Sequence, residues 1–426
     1  MKTKEDGALH GTPSATTIGS GTMVKKILAN IVDPAYLGND AYYVDDSGNF
    51  YTKDGGTFTK DQTDSTNTYT LGTTDLIHYK GEIFATATDE VTKLTANLAA
   101  IDTAWWTTTR GHSVLNGNYR HPMEVVEDTL YIADEYKIHT WDGTTSVAAA
   151  MSLPPDVNIT SLRKHPDGRH LIAFCGVTAN YSHTQGGGGK AYIIDTVNLE
   201  WTQEIPLESQ VEGSRVVSGV VYVTYGKNFG YFDGSALQWL RDLETSGTTY
   251  SHCITDIEGT VAFRDGDEII CYGDVGAGNV FWNLKDTGTS ALSALLYVGD
   301  NTIQYSYDAS GTGVLKEIDL DNSTEGLVEI VTNPISTAGE LWLRKVSLAH
   351  DNPTGYCSFR YQYYDEDQEL TEFRQIEYNV GGGPAIPRRT RVDLNARVES
   401  ANVRVYQESG TAAPFYKLTI EYESAE

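Results

Sequence analysis

The chain has 426 residues, including 41 glycines and 27 tyrosines, with 40% apolar and 11% aromatic side chains and a formal net charge of −27. That apolar fraction supports a packed core and excludes general disorder, and no apolar run approaches the roughly 20 residues of a membrane helix. The charge excludes a general nucleic-acid binder, whose phosphate contacts need clustered Lys and Arg.

The length suits two or three domains of roughly 150 residues. In chain order, the first stretch is residues 1–25. Met1–Gly7 has no apolar h-region, so no secretory signal is expected. Residues 1–22 are rich in Gly, Ser and Thr. Ordering backbone costs roughly 1–2 kcal/mol per residue, more than such a segment recovers alone. Residues 1–25 therefore read as an extended N-terminal arm held by another subunit.

A repeat organises residues 26–332. Its first marker is a two-residue turn: Gly38-Asn39, Lys80-Gly81, Glu127-Asp128, Asp167-Gly168, Ser218-Gly219, Glu258-Gly259 and Gly299-Asp300. Successive markers lie 42, 47, 40, 51, 40 and 41 residues apart. A short run of period two, rich in aromatic and β-branched residues, follows each one: Ala41–Val44, Glu82–Thr86, Thr129–Ala133, His170–Phe174, Val220–Thr224, Thr260–Arg264 and Thr302–Ser306. Such runs favour strands, and such turns supply the positive φ of tight hairpins. A second turn recurs as Asp54-Gly55, Asp142-Gly143 and Asp233-Gly234, and the fourth strands are expected to carry Trp105, Trp106, Trp201, Trp239 and Trp282, wedged between blades.

Four strands per roughly 43 residues predict an all-β fold with a β-propeller of about seven blades, or six if one chain end completes a neighbour's sheet. Two places depart from the pattern. Val91, Leu94, Leu98 and Ile101 fall at helical spacing and predict a short helix. Tyr181–Gly189 is a glycine-rich insertion with a strand rather than a helix behind it, so it reads as a surface loop and not a phosphate cradle.

Residues 333–426 read as a small C-terminal β-sandwich. Its alternating runs are Leu341–Leu348, Cys357–Tyr364, Phe373–Val380, Thr390–Leu394, Ala401–Tyr406 and Phe415–Tyr422. This segment holds 10 Lys and Arg against 14 Asp and Glu, a net of −4, which leaves −23 on residues 1–332.

Few residues suggest chemistry. Cys175, Cys253, Cys271 and Cys357 form no CxxC pair and read as reduced thiols. There is no Gly-x-Ser-x-Gly elbow, and neither His183 nor His252 stands out from its Ser-rich surroundings. Asp45-Asp46, Asp265 with Asp267 and Glu268, and Asp365–Asp367 are acidic groups of a kind that a chain with 58 acids produces without purpose. Asp319–Ser323 has a calcium-loop flavour but lacks the full pattern. Thr52–Phe58 compares with the Asp-box of sialidases, imperfectly and once only, and reads as a hairpin. The arginine trio of sialidases has no sequence signature here, since Arg110, Arg120, Arg163, Arg169, Arg215, Arg241 and Arg264 are scattered. Pro387–Arg391 is the basic cluster, read as a hairpin flank or a contact to nucleic acid or an acidic neighbour.

Arg389–Asn395, Ala401–Tyr406 and Pro414–Glu423 resemble the ending of many tailed-bacteriophage virion proteins of the lower tail: nozzles, hubs and head-to-tail stabilising rings. In that group a β-propeller is commonly coupled to a small β-sandwich. The resemblance implies a structural, non-enzymatic subunit of the virion tail, assembled in the host cytoplasm, with no cofactor and no catalytic or metal site. It implies further copies in a ring and neighbouring tail or connector proteins as partners. Phage DNA would pass nearby without specific binding, since an acidic conduit wall repels phosphates, and contact with the host surface is a further option. Two rival readings are a receptor- or glycan-binding propeller at the tail tip, favoured by aromatics around a pocket, and a propeller glycosidase, favoured by arginines or paired carboxylates converging on the axis.

Overall fold

The structure, a computed structural model, describes residues 15–20, 24–29, 41–54, 57–70, 72, 74–95, 97–177, 188–243, 251–274, 279–286, 292–299, 301–308, 313–320, 329–332, 335–350, 357–364, 370–378, 389–410 and 415–424. They are almost all antiparallel strands, with one π-type turn at Trp105–Thr109 and one 3-10 turn at Ser251–Cys253. No helix among the described residues is long and apolar enough to cross a membrane. The chain divides into two units: Thr16–Asp267 with Gly288–Glu317, and Glu268–Thr287 with Ile318–Glu426 and the first 15 residues.

The first unit is the propeller. Blade I comprises Val24–Ala29, Ala41–Asp45, Asn49–Asp54 and Thr57–Thr63; blade II, Leu76–Tyr79, Glu82–Thr86, Val91–Thr95 and Ile101–Asp102; blade III, Met123–Val126, Thr129–Asp134, Lys137–Trp141 and Ser146–Ser152. Blade IV comprises Asn158–Lys164, His170–Gly176, Gly189–Asp195 and Glu200–Leu207, and blade V, Val211–Val217, Val220–Tyr225, Asn228–Phe232 and Leu237–Asp242. Ile254–Ile257 and Thr260–Asp265 form the hairpin of blade VI. Blade VII comprises Leu292–Gly299, Thr302–Asp308 and Gly313–Asp319, with Ala15–Ser20 as its outermost strand. The sheets agree with the expected seven blades.

Alternation explains why blades stack. Side chains on a strand point to opposite faces in turn. In blade IV, Leu171, Ala173 and Cys175 join a cluster with Tyr131, Ala133 and Ile138 of blade III. Their neighbours Ile172 and Phe174 pack with Val221, Val223 and Phe232 of blade V. The same holds between blades I and II around Tyr42, Phe50 and Ile83, and between II and III around Phe84, Leu130 and Ile132. Both faces of blades I to IV are therefore buried, and the core there is a series of layers between blades. Blades VII and I close the ring through Tyr43, Ala294, Leu296 and Leu315. The Tyr43 hydroxyl donates to Gln304 Oε1 at 2.6 Å, and Lys53 Nζ lies 2.8 Å from Glu317 Oε2.

Three of the turn markers have two positive φ values in succession, Glu127-Asp128 and Asp167-Gly168 have one, and Gly38-Asn39 lies outside the described residues. Lys80 and Gly81 have φ of 49° and 77°, Ser218 and Gly219 49° and 80°, and Glu258 and Gly259 50° and 94°. Two successive positive φ values make the primed turns that match strand twist.

Several expectations are corrected. Ala15–Ser20, assigned to the arm, is a blade strand whose backbone pairs with Gly313–Asp319. The first 14 residues lie outside the described residues. Val91, Leu94, Leu98 and Ile101 form no helix: Val91–Thr95 and Ile101–Asp102 are strands around a turn in which Leu98 has φ 50°. Trp105 and Trp106 lie in the π-type turn rather than a fourth strand, held by buried Glu90, whose Oε1 accepts the Trp106 N–H at 2.9 Å. Trp201 and Trp239 are on outer strands but exposed, at 43% and 38%, not wedged between blades. Most of the Tyr181–Gly189 insertion is outside the described residues.

The second unit has one organising strand. Arg389–Gly410 pairs over its first half with Ile335–His350 (Val346↔Val392). Over its second half it pairs with Cys357–Tyr364 on one edge and Glu329–Thr332 on the other. Phe415–Ser424 covers the far edge of Ile335–His350, and Leu370–Tyr378 that of Cys357–Tyr364. Leu341, Leu343, Val398 and Ala401 form the core, with Tyr363 and Ile420 packed against them, as a small sandwich requires. Thr390–Leu394 and Ala401–Tyr406, expected as separate strands, are one strand of 22 residues. Val280 and Phe281 pair with Thr332 and Val331, and Glu268–Asp274 pairs with Asn279–Asp286, within this unit.

Candidate functional site

The first strands of all seven blades meet at one cavity, which marks the propeller channel. Lys26, Ile77, Glu124, Arg163, Arg215, Ile254 and Leu295 each come from a different blade and line a space of about 110 Å³. A second, smaller cavity of about 30 Å³ shares Lys26, Asp75, Ser251 and His252 and adds Arg120 and Glu212.

Strand geometry puts these side chains there. In blades III, IV and V the register pairs Glu124 with Tyr131, Arg163 with Ile172 and Arg215 with Tyr222, one or two pairs before each hairpin closes. A charged residue there points along the channel wall, where its neighbours in other blades are apolar.

Most of the charges are tied down. Arg120 forms an ion pair with Glu212 in which both side chains are buried, and its Nη1 donates to the Glu212 carbonyl at 2.7 Å. Gln210 Nε2 donates to the other Glu212 oxygen at 3.0 Å. Lys26 pairs with Asp75, whose Oδ2 accepts the Met123 N–H at 2.8 Å. Burial first, and then the Arg163 and Arg215 guanidiniums, push the Lys26 ammonium well below its ordinary value. Arg163 donates from Nε to the Ser214 carbonyl at 2.7 Å and from Nη1 to the Leu162 carbonyl at 2.6 Å, with Glu124 Oε2 at 3.4 Å. Arg215 has no hydrogen bond or ion pair among the described residues. Burial and the neighbouring Arg163 push its guanidinium down as well. Between the blades, Ser161 Oγ and Ser214 Oγ are 2.6 Å apart, and Ser251 Oγ accepts the Ser214 N–H at 3.1 Å.

The scattered arginines thus separate into groups. Arg120, Arg163 and Arg215 come to the channel, though Arg120 is spent on Glu212. Arg110 stacks 3.9 Å over the Trp141 ring, Arg241 pairs with buried Asp265, and Arg264 donates to the Leu292 carbonyl at 2.8 Å. Asp45 caps its own turn by accepting the N–H groups of Ser47 and Asn49 at 2.9 and 2.8 Å. Asp54 pairs with Thr57, so the Thr52–Phe58 run is a hairpin. Asp365–Asp367, Asp321–Ser323 and Pro387-Arg388 lie outside the described residues, as does His183. Cys175, Cys253 and Cys271 are buried free thiols, and burial pushes Cys271 up to about 12.

The sequence reading missed one further cluster, His165, Asp167 and His170, whose ligand-type atoms lie close enough together to face one ion. Its geometry has a local explanation. Asp167 Oδ1 accepts the N–H groups of Arg169 and His170 at 2.8 and 3.0 Å, and Oδ2 sits 2.5 Å from His170 Nδ1. This is a turn stapled by its own side chains.

No known protein family matches the chain, and no curated protein does. Solved structures do resemble it. Raptor from Chaetomium thermophilum aligns over 73% of this chain at 11% identity with a TM-score of 0.48, and this chain spans only 30% of that one. The Cps50 (Swd1) β-propeller domain of Myceliophteria thermophila aligns over 73% of this chain and all of its own, at 12% identity and a TM-score of 0.49. YCF48 bound to D1 peptide aligns over 74% of this chain and 97% of its own, at 10% identity and a TM-score of 0.50. At such an identity the likeness to YCF48 concerns the fold alone.

Proposed function

We propose that the chain is a structural subunit of a tailed-bacteriophage virion, a tail-associated ring component of the nozzle, hub or adaptor kind, and not an enzyme. The observation that carries this reading is where the resembling residues fall. Arg389–Asn395 and Ala401–Tyr406 lie on the 22-residue strand, and Phe415–Glu423 on the strand at the far edge of Ile335–His350. Together they build a sandwich unit that follows a propeller unit, the coupling that the resemblance implies. The outer strands of blades III to V add to it. Val147, Trp201 and Trp239 are exposed there, Val197 is exposed on the turn before Glu200–Leu207, and Glu200–Glu204 is an exposed stretch of edge strand. Open edges carrying large apolar groups are surfaces that proteins cover by assembly. The net charge of −27 suits a conduit that DNA passes without sticking.

Cryo-EM of the native particle with this protein located tests the reading. Density for the propeller in a ring around the tail axis is the expected result. A purified chain that is absent from particles and hydrolyses a glycan as a monomer would overturn it. A second reading, glycan or receptor binding at the tail tip, has the exposed indoles of Trp201 and Trp239 behind it, since sugar rings stack on such faces. Retention on a glycan array that W201A and W239A abolish would favour it.

A further inference from the structure

We propose that the propeller channel binds a small oxyanion, a phosphate or a carboxylate, between the guanidinium groups of Arg163 and Arg215. The inference is independent of the virion reading. In the larger cavity three cations, Lys26, Arg163 and Arg215, face two carboxylates, Asp75 and Glu124. Asp75 is occupied by Lys26 and the Met123 N–H, and Glu124 makes its contact with Arg163, at 3.4 Å. Glu124 and Asp256 attract Arg215 only from beyond contact distance, so among the described residues Arg215 is the channel cation with no ion-pair partner. A chain of net charge −27 has ample acids to neutralise it, yet none stands within ion-pair distance among the described residues.

A half-buried charge without a contact partner is costly, and a like charge beside it adds to the cost. The displaced proton affinities of Lys26 and Arg215 are the signature of that strain. An anion in the cavity removes it. Guanidinium groups present planar forks that match the paired oxygens of carboxylate and phosphate. The two arginines stand on first strands of adjacent blades, and Arg163 is aimed by its bonds to the Ser214 and Leu162 carbonyls, which leave its Nη2 without a partner among the described residues. The space of about 110 Å³ is well above the roughly 10–15 Å³ that one water needs.

The test is thermal unfolding and titration calorimetry of the full chain in chloride buffer, with inorganic phosphate or malonate added. Wild type should melt higher with increasing phosphate, malonate or both, and which anion acts identifies the source of the oxyanion. R215Q should melt no lower than wild type in the anion-free buffer, because it relieves like-charge repulsion, and should bind the anion at least about tenfold more weakly. If R215Q does not fold, R215K, which keeps the charge and loses the fork, is expected to show the same loss of affinity. The proposal fails if neither anion raises the wild-type melting temperature above matched chloride. It fails equally if the arginine variant gains as much as wild type, the mark of general salt stabilisation.

Discussion

At the turn from third to fourth strand in blade V, a carboxylate takes over bonds the backbone cannot make for itself. Asp233 Oδ1 accepts the N–H groups of Ser235 and Ala236, each at 2.8 Å, before Gly234 with φ 94° lets the chain reverse. The Ala236 N–H first, then the Ser235 hydroxyl and N–H, hold the carboxyl down from its ordinary 3.8 to about 2. A depressed folded value means a contribution present above the ordinary value and lost as pH falls towards the folded one. D233N should therefore be slightly less stable than wild type at pH 7, by under about 1 kcal/mol because the group is exposed. That deficit should shrink as pH falls from 4 towards 2. Urea midpoints at several pH values check it, and a deficit independent of pH would refute it. Arg120 and Glu212 are the opposite case, both buried and bonded to each other. R120M strands a carboxylate and should cost about 3–5 kcal/mol, while R120M/E212L should recover most of it. Chemical denaturation of the single and double variants decides, and equal losses in both would contradict the argument.

The element with the most leverage is the strand Ala15–Ser20. Blade VII has only three strands from its own stretch of chain, and this fourth comes from the other end of the unit. Ile18 packs against the cluster that joins blades VII and I. A chain lacking residues 1–20 should therefore lose stability as a monomer, with a fall of several degrees in melting temperature, whereas a detached arm would leave it unchanged. Differential scanning calorimetry distinguishes the two. This is also where the sequence was hardest to read. Hairpin turns are legible because residues such as Ser218-Gly219 announce positive φ locally, but a strand whose partner lies roughly 300 residues away carries no local sign of it. Val91, Leu94, Leu98 and Ile101 misled for a related reason: two strands around a tight turn can space apolar residues as one helix would.

For the molecule as a whole, large apolar groups stand exposed on the outer strands of blades III to V, where Trp201 and Trp239 lie. If the exposed rim of blades III to V is an assembly surface, W201A/W239A should leave the monomer's melting temperature within a degree or so and shift sedimentation towards monomer. Unchanged assembly would place the interface elsewhere. The fold class was readable from the spacing of seven turns, because propeller blades repeat what they need. The channel was not, because no blade holds more than a fragment of it. Its one trace was a charged residue three or four positions ahead of the turn marker in three successive blades: Glu124, Arg163 and Arg215. Each looks like an ordinary surface position until the ring brings them together.

Closing a ring with its first strand also sets a timetable. At roughly 5–20 residues per second of synthesis, Ala15–Ser20 leaves the ribosome about 15–60 s before Gly313–Asp319 exists to receive it. For that interval blade I has an uncovered face, and the nascent chain displays pairing edges at both ends of an unfinished arc. A second nascent copy could supply the missing strand just as well, so crowding on a polysome would favour exchanged strands between neighbours. A slower ribosome would lengthen the exposure, and whatever shields that first strand in the cell governs the yield of closed rings.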